Sequence, residues 1–477
     1  MSKFINTALI CCAFWCIYLL SVAGPFASSD DVVMMQTAYQ LANEGHLHIP
    51  SSDLPQVING QNGKLYSKYD PGLPLLTVPV MWWAAWIADH NIGANSFVVG
   101  AYFAMLIPTG MMALAMAGLY RLGLRLYSHR RAVYITVVAG LGTTVWPYGH
   151  IYFAEGVLTA ALVWAVFGLL VDKRASLSMA SAALGVGILT RASFAIYWPN
   201  LLILAAFWRD LPRPVGATSP APRRRWLYLS IGPILAIGGL LIHNTLRFGD
   251  PFTTGYTDEG FTTPVWEGVI GLLLSPGKSI FIYAPPLILS IWGWRRFYRQ
   301  YPKFTRGLLL ISSIVIVFYG SWWAWHGGWV WGPRFLVPLM PLWCLAIPPI
   351  TRRNIIIFAL IFFAGGGVQY LGTFTDTTPA YTEAFANADP DDETRYAMVH
   401  YQPTKTPLAY AIRRARVGDW QPQAVYNLGH THLSKAWVSG IPTTINIMLW
   451  VSSIGIGWSL WKNRSSTTAD RPSWKGS

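Results

Sequence analysis

The chain has 477 residues, of which 53% are hydrophobic and 12% are charged, and its mean hydropathy is +0.37. A soluble globular protein carries about 25% charged residues, so this composition excludes an ordinary soluble domain. The formal net charge of +14 could indicate a nucleic-acid partner. The distribution of the basic residues along the chain, described below, argues against that partner.

Apolar runs of roughly 20 residues, the length needed to cross a bilayer, recur from the beginning of the sequence to its end. Lipid offers the backbone no hydrogen-bond partner, so such runs are helices or barrel strands. Their length and lack of alternation favour helices. The predicted fold class is therefore all-α: a polytopic membrane protein with about 12 transmembrane helices. The first run follows Lys3 and resembles a signal peptide, but it is long enough to span and leads into a further membrane domain.

Clusters of Lys and Arg mark the cytoplasmic loops of a membrane protein. In this sequence they occupy 121–131, 172–174, 209–226, 295–306, 351–353 and 462–464. With these loops inside, both termini are predicted to be cytoplasmic and the positive charge faces the inner leaflet, with no need for nucleic acid. The predicted spans are 5–24, 96–119, 132–148, 155–171, a broken pair at 177–190 and 192–207, 225–243, 279–294, 307–323, 335–350, 354–372 and 440–461.

The apolar segment 73–88 does not fit as a span, because counting it would invert every later loop. It begins among prolines and contains Trp82, Trp83 and Trp86. Tryptophan is typical of the membrane interface. We therefore expect a juxtamembrane helix on the outer face.

Four longer segments are then predicted to lie outside: 25–95, 244–278, 321–334 and 373–439. We expect 1–372 to form the catalytic transmembrane domain and 373–439 to form a cap. The last helix and a cytoplasmic tail would occupy 440–477.

Ionisable residues collect on this predicted outer face. Such groups at membrane depth are costly and usually functional. The candidates are Asp30, Asp31, Lys68, Asp70, Glu155, Arg191, Arg247, Lys278, His326 and Arg334.

Each candidate also has a structural interpretation. One of the two adjacent acids could cap the helix that follows them, since a carboxylate accepts hydrogen bonds from free N–H groups at a helix N-terminus. Arg334 could reach toward the interface, His326 could be a packed core residue, and Lys278 and Arg247 could bind lipid headgroups. As a set, carboxylates beside several basic groups fit a phosphate-bearing lipid with a reacting head. Arginine binds phosphate with two donors, and a carboxylate can act as a general base.

The order of these residues resembles the GT-C superfamily of membrane glycosyltransferases, near protein O-mannosyltransferases and the lipid A aminoarabinose transferase. The resemblance covers residues 1–345. It is carried by "SSDDVVMMQTAYQLANEGHLHI", "GKLYSKYDPGLPLL", Glu155, the "LTR" at a helix break, "RFGDPFTTGY", "SPGKSIFIYAPP" and "WHGGWVWGPRFLVPLMP".

The resemblance implies an inverting transfer of a sugar from a polyprenyl-phosphate donor to a hydroxyl of a glycan, lipid or protein acceptor, on the outer face of a bacterial inner membrane. It makes Asp30 the first choice and Asp31 the second for the catalytic base, and Lys68, Arg191 and Arg334 candidates for the donor phosphate. Asp70 departs from the family, whose members commonly carry proline there. The sequence establishes no cofactor and leaves open whether a divalent metal is needed.

Two other classes of protein share part of this pattern. A lipid or glycan transporter would also hold buried charges, but with internal repeats and charges near the middle of the membrane. A glycan ligase similar to O-antigen ligases would need a large outer loop rich in Arg and His. The segment 376–435, which includes Arg413, His430 and His432, partly meets that description.

Overall fold

The computed structural model describes residues 2–22, 24–26, 28–50, 52–92, 95–207, 222–257, 259–386 and 395–417. The predicted span 440–461, the predicted tail and the two histidines His430 and His432 lie outside these ranges.

The first quarter of the chain forms two helices, a small sheet and a third helix. Within the sheet the strand order is β1-β3-β2, with both pairs antiparallel, so that Tyr66 of β3 lies opposite His48 and Ile58. The elements are α1 Ser2–Leu20, α2 Ser29–Asn43, β1 His48–Ile49, β2 Val57–Asn59, β3 Leu65–Ser67 and α3 Gly72–Ile87.

The apolar helices that follow are α4 Ser96–Ala104, α5 Leu106–Leu126, α6 His129–Gly142, α7 Val145–Gly149, α8 Glu155–Val171, α9 Arg174–Thr190, α10 Tyr197–Phe207 and α11 Pro222–Phe248. A 3-10 helix, Ala192–Ile196, joins α9 to α10. α8 packs against both α5 and α9, and all three helices contribute residues to the main buried core.

The remaining helices are α12 Val265–Leu274, α13 Ile280–Tyr283, α14 Leu287–Gln300, α15 Pro302–Gly320, α16 Met340–Cys344, α17 Ile355–Phe374, α18 Thr378–Phe385, α19 Arg395–Tyr401 and α20 Pro407–Arg416. A 3-10 helix, Arg334–Leu339, runs directly into α16.

Four helical segments are long and apolar enough to cross a membrane: Ser96–Leu126, Arg225–Phe248, Pro302–Gly320 and Ile355–Phe374. They identify the chain as an integral membrane protein. Within the described ranges, the other predicted spans are shorter or broken. α8 and α9 have 17 residues each, about 26 Å at 1.5 Å per residue.

Prolines explain two of these breaks. The predicted span 279–294 is divided between α13 and α14 at Pro285 and Pro286, and the predicted span 335–350 contains only a 3-10 turn and α16. Proline lacks the N–H that continues a helix. The count of 12 spans stays a prediction.

The segment 73–88 is helical, as α3. Trp82 is 62% exposed and Trp86 is 50% exposed, while the opposite side of the helix packs on α2 and α4. The position of this helix at a membrane interface stays a prediction.

Candidate active site

The two adjacent acids at the start of α2 have different environments. Ser28 is the N-cap: its hydroxyl accepts from the Asp31 backbone N–H at 3.2 Å and donates to Asp31 Oδ1 at 2.7 Å. Asp31, in the third helical position, therefore bonds the Ser28 hydroxyl through both its backbone N–H and its carboxylate. Asp31 is fully buried, so its carboxylate stabilises the N-terminus of α2.

Asp30 points away from this cap. Its Oδ1 accepts from Gln56 Nε2 at 3.1 Å, and its Oδ2 lies 3.4 Å from Arg334 Nη1. The side chain is 17% exposed. Burial, and then the charge of Asp30 and a hydrogen bond to it, raise the pKa of Tyr69 well above its ordinary value. Asp30 is therefore a partly accessible carboxylate held by three polar side chains.

Glu155, the first residue of α8, is fully buried and is contacted by two arginines. Arg191 Nη2 and Arg334 Nε both donate to Glu155 Oε1, each at 2.8 Å. Glu155 Oε2 is buried and has no hydrogen-bond partner among the described residues. Arg334 thus joins Glu155 to Asp30. We call these four side chains, Asp30, Glu155, Arg191 and Arg334, the carboxylate–arginine network.

Aromatic rings cover the two guanidinium groups. The Arg334 Cζ lies 4.1 Å from the centre of the Phe153 ring, and the Arg191 Cζ lies 5.6 Å from that of Phe335. Cations are attracted to ring faces, and rings exclude water. The Coulombic interactions of the network are therefore stronger than those between surface charges.

The glycine-rich stretch before Arg334 brings that residue to the network. Gly327, Gly328 and Gly332 have φ values of +76°, +87° and +60°. Residues other than glycine rarely adopt such φ values. Tyr148 donates to the Trp331 carbonyl at 2.9 Å, which fixes the chain just before Arg334.

Lys68 and Asp70 both follow strand β3 but contact different partners. Lys68 Nζ lies 2.9 Å from Glu259 Oε1, and the other Glu259 oxygen accepts from Trp323 Nε1, also at 2.9 Å. Asp70 Oδ2 accepts from the Ala192 backbone N–H at 2.7 Å. The segment after β3 therefore contacts both the loop that contains Glu259 and the junction that contains Ala192.

Three predicted substrate-binding residues contact the protein backbone or pack against other side chains. Arg247, 2% exposed, donates to the carbonyls of Ser67 and Tyr69. Lys278 is fully buried and donates to the carbonyls of Gly328 and Val330.

His326 accepts from the Gly328 N–H and stacks on Tyr396 at 4.5 Å. Burial lowers the pKa of His326 to about 3, which keeps the ring neutral. The contacts of Arg247, Lys278 and His326 indicate that they hold the loops around the network. A role for them in substrate binding stays a prediction.

The donor set does not favour a metal site here. Within the described ranges, no three His, Cys, Asp or Glu side chains are grouped so that they could hold an ion. Asp30 and Glu155 are joined through a guanidinium, which is a donor and not a ligand.

An apolar groove of about 590 Å³ runs along α15. Its lining includes Ile196, from the 3-10 helix that follows Arg191, together with Phe261, Val317 and Phe318. On the same helix, Tyr319 stacks on Phe335 at 4.3 Å and hydrogen-bonds Ser193. The groove therefore adjoins the 3-10 helix that directly follows Arg191.

Sequence reasoning missed Gln56 and Glu259. Gln56 is a neutral residue 26 positions from Asp30 in the chain, and no local pattern links the two. Glu259 is an acid in the predicted outer loop 244–278, and its charge was the available signal.

No protein-family model and no curated protein matches the sequence. Among solved structures, ArnT from Cupriavidus metallidurans bound to undecaprenyl phosphate is 12% identical, with a TM-score of 0.50 over 95% of this chain and 75% of that one. The chain has the fold of ArnT. The apo structure of the same protein is 14% identical, with a TM-score of 0.49 over 93% of this chain and 73% of that one.

An archaeal oligosaccharyltransferase, AglB from Archaeoglobus fulgidus, is more distant. It is 13% identical, with a TM-score of 0.35 over 99% of this chain and 53% of that one. The ArnT likeness agrees with the GT-C type of architecture that the sequence motifs imply.

Proposed function

We propose that this protein is an inverting glycosyltransferase that moves a sugar from a polyprenyl-phosphate donor to an acceptor hydroxyl on the outer face of a bacterial inner membrane. The observation that carries the proposal is the carboxylate–arginine network. Four separate elements of an ArnT-like fold bring two acids and two arginines together.

Asp30 is the proposed base. Its carboxylate is partly exposed, whereas Asp31 is buried in the helix cap. Two ionised carboxylate oxygens offer about four acceptor sites, so the bonds from Gln56, Arg334 and Tyr69 still leave room for an acceptor hydroxyl. A base in hydrogen-bond reach of the reacting hydroxyl meets the geometric requirement for proton transfer.

The reaction has one displacement step. The acceptor hydroxyl loses its proton to Asp30 as its oxygen forms a bond to the anomeric carbon. The bond from that carbon to the phosphate oxygen breaks, and polyprenyl phosphate leaves with the electron pair. Attack opposite the leaving group inverts the anomeric configuration.

The leaving phosphate gains negative charge, which preorganised cations stabilise. Arg191 suits this role because its side chain is 16% exposed while Glu155 holds it in place. Lys68, 19% exposed, is a second candidate. Arg334 connects this phosphate side to the base, since it contacts both Glu155 and Asp30.

The apolar groove along α15 is the proposed place for the first isoprene units of the donor. Apolar side chains and two serines line it, and it adjoins the turn after Arg191. A lipid chain in this groove would place its phosphate near the guanidinium. The ArnT structure with the same fold was determined with undecaprenyl phosphate bound, which makes that lipid the natural first probe.

The test uses purified protein in detergent with a panel of polyprenyl-phosphate sugars and, separately, undecaprenyl phosphate. We expect wild-type protein to bind undecaprenyl phosphate and to consume at least one donor. Asp30→Asn should bind the lipid but lose about 10²- to 10⁴-fold in turnover, the usual contribution of a general base.

The matched control is Asp53→Asn, which removes an exposed acid from the same loop and should leave turnover unchanged. Full transfer by a folded Asp30→Asn protein would contradict the assignment of the base. A wild-type protein that neither binds the lipid nor consumes any donor would contradict the proposed function.

A further inference from the structure

We infer that Asp70 is a positioning residue: its carboxylate fixes the peptide group between Arg191 and Ala192 and thereby sets the direction of the Arg191 side chain. The inference deepens the proposed function, because it assigns Asp70 a task for the arginine that would bind the donor phosphate. The sequence suggested that Asp70 contacts substrate directly, whereas here it would affect substrate binding through Arg191.

The peptide group after Arg191 is held from both sides. Its carbonyl oxygen accepts from the Phe194 N–H at 2.8 Å, and its N–H donates to Asp70 Oδ2 at 2.7 Å. With both ends bonded, the plane cannot rotate without losing a hydrogen bond. The ψ angle of Arg191, 116°, is therefore fixed where α9 ends.

A helix end alone would not provide this restraint. Arg191 has extended φ and ψ angles of −155° and 116° and lies between α9 and a five-residue 3-10 helix. Such a junction has few local hydrogen bonds, because the first N–H groups of a helix lack partners within it. Here the partner comes from 122 positions earlier in the chain.

The position of Asp70 is itself restrained by its neighbours. Gly72 packs so closely on the end of α9 that a Cβ there would lie 2.4 Å from the Thr190 backbone nitrogen. Arg247 holds the carbonyls of Ser67 and Tyr69 on the other side. The Asp70 carboxylate is therefore placed by backbone contacts before and after it, as a positioning group needs.

The interaction reaches the reacting centre through one residue. Arg191 donates to Glu155 Oε1, the atom that also accepts from Arg334. If the Arg191–Ala192 peptide rotates, the guanidinium moves away from that shared oxygen. Asp70 would thus govern the phosphate side of the network without contacting the substrate.

The experiment measures the Kd of undecaprenyl phosphate for purified full-length variants at pH 8. We expect Asp70→Ala to weaken binding about tenfold, the usual effect of losing a charge-assisted hydrogen bond. Asp70→Asn keeps an acceptor oxygen and should recover most of that loss. Asp53→Ala, which removes an exposed acid from the same loop, should bind like wild type.

A double-mutant cycle separates positioning from general damage to the fold. In an Arg191→Ala background, Asp70→Ala should cause little further weakening, because the group that it positions is already gone. Additive losses would overturn the inference. If Asp70→Ala is not recovered folded, Asp70→Leu removes the acceptor while retaining more side-chain volume.

Amide hydrogen exchange at Ala192 provides a readout that does not depend on any ligand. We expect exchange of this amide to speed up in Asp70→Ala and to stay slow in Asp70→Asn, as a protected amide does while its acceptor remains. Unchanged exchange in Asp70→Ala, or unchanged lipid affinity, overturns the role of Asp70. Failure of wild-type protein to bind the lipid overturns the proposed function instead, and this role with it.

Discussion

The two ends of helix α8 both carry a buried carboxylate paired with arginine, but the two arrangements differ. At the C-terminal end, Asp172 adopts a left-handed conformation with φ of +52° and lies 2.6 Å from Arg225. Their side chains are 10% and 5% exposed. One acid at the end of α8 and one base on α11 form a closed pair.

At the N-terminal end, one Glu155 oxygen receives both Arg191 and Arg334, and Arg334 extends to Asp30. Arg191 and Asp30 are also more exposed than either member of the closed pair. A closed pair stabilises one arrangement of the fold. A network with a shared oxygen and partly accessible members can accept an anionic ligand with only a small rearrangement.

Arg334→Lys should have the largest effect, because lysine cannot reproduce two contacts made by different guanidinium nitrogens. We expect turnover to fall about 10²- to 10³-fold, as when an electrostatic donor is removed from an active site. The measurement is donor consumption with the best substrate of the panel. Arg225→Lys at the other end of α8 is the matched control and should leave turnover within twofold of wild type.

Asp172→Asn should affect stability and leave binding unchanged. Removing one partner of a buried ion pair costs about 3 kcal/mol in the free energy of unfolding, because the remaining charge is left uncompensated. Asparagine tolerates the left-handed conformation, so backbone strain does not confuse the result. The measurements are the thermal midpoint in detergent and the Kd of undecaprenyl phosphate. If lipid binding is weakened and the thermal midpoint is unchanged, the pair at the C-terminal end of α8 takes part in binding and is not a structural pair.

The sequence indicated this contrast only in part. Glu155, Arg191 and Arg334 were recognisable because a charge beside an apolar run is costly, and the motif pattern added Asp30. Their meeting depends on elements as far apart as α2 and the 3-10 helix at Arg334–Leu339. No local periodicity encodes such contacts.

The local breaks in the fold were harder to predict than the apolar runs. Hydropathy averages over a window, so the runs at 279–294 and 335–350 resembled continuous spans although both contain prolines that end helices. For Lys278 and Arg247 the sequence contained no sign of their partners, and their predicted role in substrate binding stays a prediction. The structure shows them bonded to backbone carbonyls, which only the folded loops place within reach.

Titration of the Asp70 carboxyl should change lipid affinity and protein stability in opposite directions. Burial raises the pKa of Asp70 to about 6, although the charges of Arg247 and Arg191 oppose the shift. The nearby phenol of Tyr256 remains neutral, because burial raises its pKa as well. Above pH 6 the ionised carboxylate holds the Ala192 amide more strongly than the neutral acid does, so lipid affinity should fall about twofold between pH 7 and pH 5. The lipid phosphate also titrates in this range. The pH dependence of the Kd should therefore be compared between wild type and Asp70→Asn, because the part caused by titration of Asp70 should be absent in the variant.

Stability should change in the other direction. A carboxyl whose pKa is higher in the folded state binds its proton more tightly there, so its contribution to stability is complete below the unfolded pKa and is lost as pH rises through 6. The thermal midpoint of wild type relative to Asp70→Asn should therefore fall from pH 5 to pH 7. A difference that is constant across this range would contradict the titration of Asp70.

The smallest expected effect on stability concerns a third pair, Lys68 with Glu259, which resembles either the closed pair or the network. Both side chains are nearly 20% exposed, so the ion pair itself contributes about 0.2–1 kcal/mol to stability. Glu259→Gln should release the ammonium group for the donor phosphate and tighten undecaprenyl phosphate binding about twofold to fivefold at low salt, less at high salt. Weaker binding would mean that Glu259 holds Lys68 in its working position, so that this pair acts as a fixed support like Asp172 with Arg225.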